Sequence, residues 1–85
     1  MADSESLETL CQELTAQGLT NCVELQEDKL RVVIRNGSDY RAADIVSRFL
    51  GVEPESLAPH LRWRTPRWQA LMTKGDDVIL AVVPT

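Results

Sequence analysis

Eighty-five residues make a single domain over 1–85 with no room for a second core, and 44% hydrophobic content marks a folding chain rather than a disordered one. The formal net charge of −4 and a sequence pI of about 4.8 weigh against wholesale nucleic-acid binding. That charge is divided, with seven acids and no base in residues 1–28 but eight bases against four acids in residues 29–67, an asymmetry that implies complementary packing or a partner of opposite charge.

Residues 1–5 read as a flexible polar lead, with Asp3, Ser4 and Ser6 as candidate helix caps. Leu7, Leu10, Cys11 and Leu14 then recur at helical spacing with Glu5, Glu8, Gln12 and Glu13 opposite, and Gly18-Leu19 supplies a left-handed stop. Residues 22–26 and 29–35 are two extended runs joined by a polar turn over 26–29, which predicts a hairpin. Leu30, Val32 and Ile34 share one face of the second run, and Arg31, Val33 and Arg35 share the other. Asn36-Gly37 forms the exit turn. Ser38 or Asp39 caps a second helix carrying Tyr40, Ala42, Ala43, Val46, Phe49 and Leu50, which Gly51 stops with Val52 as the contact beyond.

Residues 53–57 predict one helical turn with Pro54 at its first position. Leu61 and Trp63 alternate with Arg62 and Arg64, which predicts a strand over 61–65 that Pro66 ends. Residues 68–72 fit a strand through Trp68, Ala70 and Met72, or a helical turn through Trp68, Leu71 and Met72. Residues 74–77 form a turn, and the unbroken apolar run 78–83 reads as a central strand buried on both faces. The expected fold is α+β, a small two-layer sandwich in the order α-β-β-α-β-(short element)-β. Its helices lie on one face of a largely antiparallel sheet of about three to four strands.

Leu10, Leu14, Gly18-Leu19, Val23, Leu25, Leu30-Arg31-Val32 and Pro66-Arg67-Trp68 together resemble a small uncharacterised domain of cyanobacterial proteins. That resemblance implies a helix-hairpin-helix-strand fold and no particular activity. Arg64, Trp68, Gly75-Asp76 and the run 78–83 are similar in order to the end of the ThiS/MoaD-type sulfur-carrier group of the β-grasp fold. That group works through a C-terminal Gly-Gly. Val82-Val83-Pro84-Thr85 stands there instead, so the likeness implies shared architecture without carrier chemistry.

Two cysteines are too few for a disulfide framework, the acidic start has no apolar core of a signal peptide, and no stretch approaches the roughly 20 apolar residues of a membrane span, so a cytoplasmic protein is expected. The single histidine, His60, and the separated Cys11 and Cys22 offer no metal-ligand spacing. Cys11 belongs to an apolar helix face, and Cys22 starts a strand with no activating charge beside it. Asp76-Asp77 is ordinary turn chemistry, four scattered glycines form no phosphate cradle, and Asp39 fills the anion position of its own helix. No catalytic residue, metal or cofactor is expected.

The run 60–68 remains, holding both tryptophans, the histidine and three arginines. On a strand, Leu61 and Trp63 join the core while Arg62 and Arg64 face away from the helices beside Arg31 and Arg35. Four guanidiniums on one open face suit carboxylates or phosphates, with Arg67 and Trp68 as a rim beyond Pro66. Val33 and half of the run 78–83 share that face, and an apolar centre ringed by arginine and tryptophan is the composition of a protein interface. The plainer reading has the arginines pairing with Glu24 and solvating the sheet. The expected function is a non-catalytic protein-interaction module or regulatory subunit. It binds an acidic protein partner or self-associates through Arg31, Arg35, Arg62, Arg64, Arg67 and Trp68. Single-stranded nucleic acid on the same face, with Trp68 stacking on a base, is the alternative.

Overall fold

Leucines three and four residues apart give α1 (Leu7–Ala16) a single apolar stripe, and Leu7, Leu10 and Leu14 are all buried. A computed structural model of the chain describes residues 7–85. The lead expected over 1–5 and the cap candidates Asp3, Ser4 and Ser6 lie outside the described residues. Gly18, at φ +70°, ends the helix as expected: the Leu19 N–H donates to the Leu14 carbonyl at 3.2 Å, and the Leu19 side chain is buried.

The hairpin forms from β1 (Thr20–Leu25) and β2 (Leu30–Ile34), closed by the Gln26 N–H donating to the Lys29 carbonyl at 2.8 Å. Ser38 then occupies the N-cap position of α2 (Asp39–Leu50) without a side-chain cap bond, while Asp39, the first helical residue, reaches Lys74 instead. Gly51 at φ +73° ends α2, its N–H bonded to the Ser47 carbonyl at 2.8 Å. Val52 beyond it is exposed rather than packed.

The rest of the chain is a meander of β3 (Glu55–Leu57), β4 (His60–Arg64), β5 (Trp68–Lys74) and β6 (Val78–Pro84). The sheet therefore has six strands in the order β1-β2-β6-β5-β4-β3, every neighbouring pair antiparallel, rather than the three to four expected. Two local readings account for the difference. Residues 53–57 do not form a helical turn. A lone turn fixes many dihedrals for one hydrogen bond, whereas Glu55, Ser56 and Leu57 join the ladder opposite Arg62, Leu61 and His60. Residues 68–72 are strand, part of a seven-residue ladder against β6.

Both helices pack on one face of this sheet, in an α+β two-layer arrangement. Leu30, Val32, Ile34, Trp63, Ala70, Met72, Val78, Leu80 and Val82 meet Leu7, Leu10, Leu14, Ala42, Ile45 and Val46 there. Trp63 is completely buried, and its indole N–H donates to Ser47 Oγ at 2.9 Å, which ties α2 to β4. The apolar run of β6 is central, flanked by β2 and β5, as expected. It is not buried on both faces. Val78, Leu80 and Val82 are buried, whereas Ile79, Ala81 and Val83 on the opposite face are only half-buried. Among the described residues no helix is long and apolar enough to cross a membrane.

Candidate functional site

Strand alternation and antiparallel register place directly opposed residues on the same side of a sheet. On the face away from the helices, one row across the strands therefore reads Glu24, Arg31, Ala81, Leu71, Arg62, Glu55. The next row reads Cys22, Val33, Ile79, Thr73, His60, Leu57. A third carries Val83, Gln69 and Arg64. The centre of this face is apolar, with Val33, Ile79, Ala81 and Val83 half-buried and Leu71 42% exposed. Charge sits on its flanks.

The arginines do not form one cluster. Arg31 stands three strand spacings from Arg62, roughly 14 Å at about 4.8 Å per strand. It is paired with Glu24 at 3.3 Å, both side chains more than half exposed, as the plainer reading anticipated. Arg62 and Arg64 are neighbours on β4, about 7 Å apart along the strand. Arg35 lies past the end of β2, and its guanidinium donates to the Gly18 carbonyl at 3.3 Å, at the end of the sheet where α1 meets β1. Thus Arg31, Arg62 and Arg64 share the open face, on opposite sides of an apolar strip, and Arg35 is drawn to its end.

Arg67 and Trp68 belong to the turn into β5, where Thr65 Oγ1 accepts from the backbone N–H groups of both, at 3.2 and 2.8 Å. The Arg67 guanidinium lies 5.3 Å from the Trp68 ring centre. Trp68 alternates with Ala70 and Met72 and packs half-buried against the core, on the helix side of the sheet. It is not brought together with the arginines of the open face.

Several residues of this face escape the sequence reading. Leu57, His60, Arg62, Gln69, Ala70, Leu71, Ala81 and Val83 line a shallow hollow of about 380 Å³ on its β3–β6 side. Leu57 lines it, and Glu55 joins the same face, only because β3 is a strand. His60 Nδ1 is buried there without a hydrogen-bond partner among the described residues. The same register separates His60 from the exposed Cys22 by four strand spacings, about 19 Å, far beyond the reach of a thiol–imidazole pair. No group of three metal-ligating side chains occurs among the described residues.

A separate polar cluster lies where the start of α2 meets the end of β5. Lys74 Nζ is 2.9 Å from Asp39 Oδ2 and 5.8 Å from the centre of the Tyr40 ring. Hydrogen bonding to the Lys74 ammonium holds the Asp39 carboxyl below its usual range, and the same bond raises the lysine. This pair is on the other side of the sheet from the arginine-flanked face and pins a helix end to a strand end. The chain matches no protein-family model, no curated protein and no solved structure.

Proposed function

We propose that this chain is a non-catalytic docking domain, a small subunit or regulator that holds a protein partner against its open sheet face. The partner is an acidic protein or a second copy of the chain. One observation carries the reading: Val33, Leu71, Ile79, Ala81 and Val83 form an apolar strip that neither helix covers, with Arg31 on one flank and Arg62 and Arg64 on the other. A continuous apolar patch with a charged margin is the composition of interaction sites. Arginine is among the residues that contribute most at such sites.

Single-stranded nucleic acid is supported less well. The arginines are suitably placed, but base stacking needs an aromatic platform beside them. Trp63 is buried and Trp68 faces the helices.

The test is co-purification of partners with the tagged chain beside three variants. Ile79→Glu places a charge in the apolar strip, Arg62→Glu/Arg64→Glu reverses one flank, and Glu13→Gln on α1 is the control. A partner held by the wild type and the control but lost with Ile79→Glu supports docking on this face. Partners retained equally by Ile79→Glu sink it, and retention by the charge-reversed variant removes the acidic-partner version.

A further inference from the structure

We infer that the open face takes a second copy of this chain, packed sheet against sheet about a two-fold axis that runs along β6. The inference rests on the docking reading above and names its occupant. A two-fold interface must be complementary to itself, because each residue that meets a partner residue is met by it in return.

The row Glu24, Arg31, Ala81, Leu71, Arg62, Glu55 decides where such an axis can lie. An axis parallel to the strands and midway between β6 and β5 sets Arg31 over the partner's Arg62 and Glu24 over the partner's Glu55, like upon like at both flanks. Moving it by half a strand spacing sets opposite charges together, Glu24 over the partner's Arg62 for an axis on β6 or Arg31 over the partner's Glu55 for one on β5, and symmetry makes either contact twice. An axis perpendicular to the strands brings no acid over a base.

The strand on the chosen axis is also the one whose open-face side chains are all apolar. Ile79, Ala81 and Val83 meet their own copies, whereas an axis on β5 would stack Gln69 and Thr73 on themselves. Sheets packed in this aligned manner cross at about 30° and lie roughly 10 Å apart, a gap that apolar side chains from both faces fill. Glu24 and Arg62 lie off the axis and are long enough to absorb that rotation. Among the described residues, Glu24 is held meanwhile by an exposed 3.3 Å pair with Arg31.

The area is adequate. Five overlapping strands at about 4.8 Å, over five residues at about 3.4 Å, give roughly 24 by 17 Å, or about 400 Å² in plan on each copy. Side-chain relief adds to this plan area and brings the pair toward the roughly 1,200 Å² where specific interfaces begin. A weak, micromolar dimer is the expected result for so small an interface.

Sedimentation equilibrium on the full chain from about 1 µM to 1 mM tests this, against a chain mass of 9.5 kDa. The wild type should pass to twice the chain mass with a midpoint in the micromolar range. Ile79→Glu should move that midpoint at least tenfold upward, with an unchanged circular dichroism spectrum showing that it still folds. Arg62→Glu and Glu24→Arg, both at surface positions, should each weaken the dimer, and the double variant Glu24→Arg/Arg62→Glu should regain most of the loss. A wild type that stays at chain mass throughout overturns self-association. The docking reading then stands or falls on the co-purification result alone. A dimer indifferent to Ile79→Glu overturns the choice of face, and a double variant no better than the singles overturns the axis along β6.

Discussion

Replacing Ser47 by alanine probes the joint between the helix layer and the strand that carries Arg62 and Arg64. Trp63 is fully buried, and its indole N–H has Ser47 Oγ as acceptor at 2.9 Å. Alanine leaves that donor buried without a partner, at a cost of about 1–3 kcal/mol. The same change on a helix returns roughly 0.5 kcal/mol of propensity, so the net loss is about 0.5–2.5 kcal/mol. In a domain of this size each kcal/mol lowers the midpoint by roughly 4–8 °C, so a fall of about 2–20 °C in thermal denaturation is expected. Trp63→Phe has its own cavity cost, but in that background Ser47→Ala no longer strands a donor. The double-mutant cycle should therefore show a coupling of about 1–2 kcal/mol. A Ser47→Ala variant within about 0.3 kcal/mol of wild type, or an additive cycle, would refute the view that this bond fixes β4 to α2.

Three further outcomes are expected. Gly51→Ala should lower stability by about 1 kcal/mol, seen as a lower urea midpoint at unchanged slope. Nothing lies within 4 Å of a Cβ built there, so the cost comes from the backbone at φ +73° and not from a clash. The Asp39–Lys74 pair should appear in the pH dependence of melting. The depressed Asp39 carboxyl adds stability above the usual 3.8 that is lost as pH falls through its lowered value, and the raised Lys74 adds stability that is lost only as pH climbs past 10.5. Asp39→Asn should flatten both limbs. Lys74→Met should leave part of the acid limb, because the backbone amides of Asp39 and Tyr40 also favour the carboxylate; equal acid limbs in wild type and Asp39→Asn would exclude the linkage. Glu24→Ala should cost less than about 0.5 kcal/mol, since its partner Arg31 is well exposed, and a larger loss by urea denaturation would mean that Glu24 is not free to re-pair across an interface.

The elements read most readily from the sequence were those whose pattern needs no distant partner. The leucine spacing of α1, the stops at Gly18 and Gly51, and the alternation of Arg31 and Val33 against Leu30, Val32 and Ile34 are local signals, and those elements stand where they placed them, whereas Arg35, read into the same strand, lies past its end. Glu55–Leu57 became a strand through pairing with β4 across a turn at Ala58-Pro59, which no three-residue pattern announces. Trp68, Ala70 and Met72 against Leu71 were compatible with two periods until β6 supplied the ladder that selects one. The candidate site suffered most from this dependence. Alternation correctly sent Arg31, Arg62 and Arg64 to one face, but only the strand order reveals that two strands, β6 and β5, separate Arg31 from the others. Trp68 falls on the opposite face once its strand is fixed in register, which removes the aromatic from a patch that its closeness in sequence had suggested.

The order of the strands also sorts the open face by polarity, and the sorting bears on what the face is for. The outermost strands place Glu24 and Cys22, or Glu55 and Leu57, on it, and the strands next to them place Arg31 and Val33, or His60, Arg62 and Arg64. Further in, β5 presents Gln69, Leu71 and Thr73, and β6 presents only Ile79, Ala81 and Val83. A face meant only for water has no need of such a gradient, because solvent treats central and outer strands alike and a polar residue at 79 or 83 would serve the sheet as well. A covering layer does not treat them alike. Its centre excludes water and favours apolar contact, while its margin remains wet enough for charged pairs. The unbroken apolar run of β6 has the pattern of a strand covered on both sides. The helices cover one of them, and the docking proposed above would cover the other.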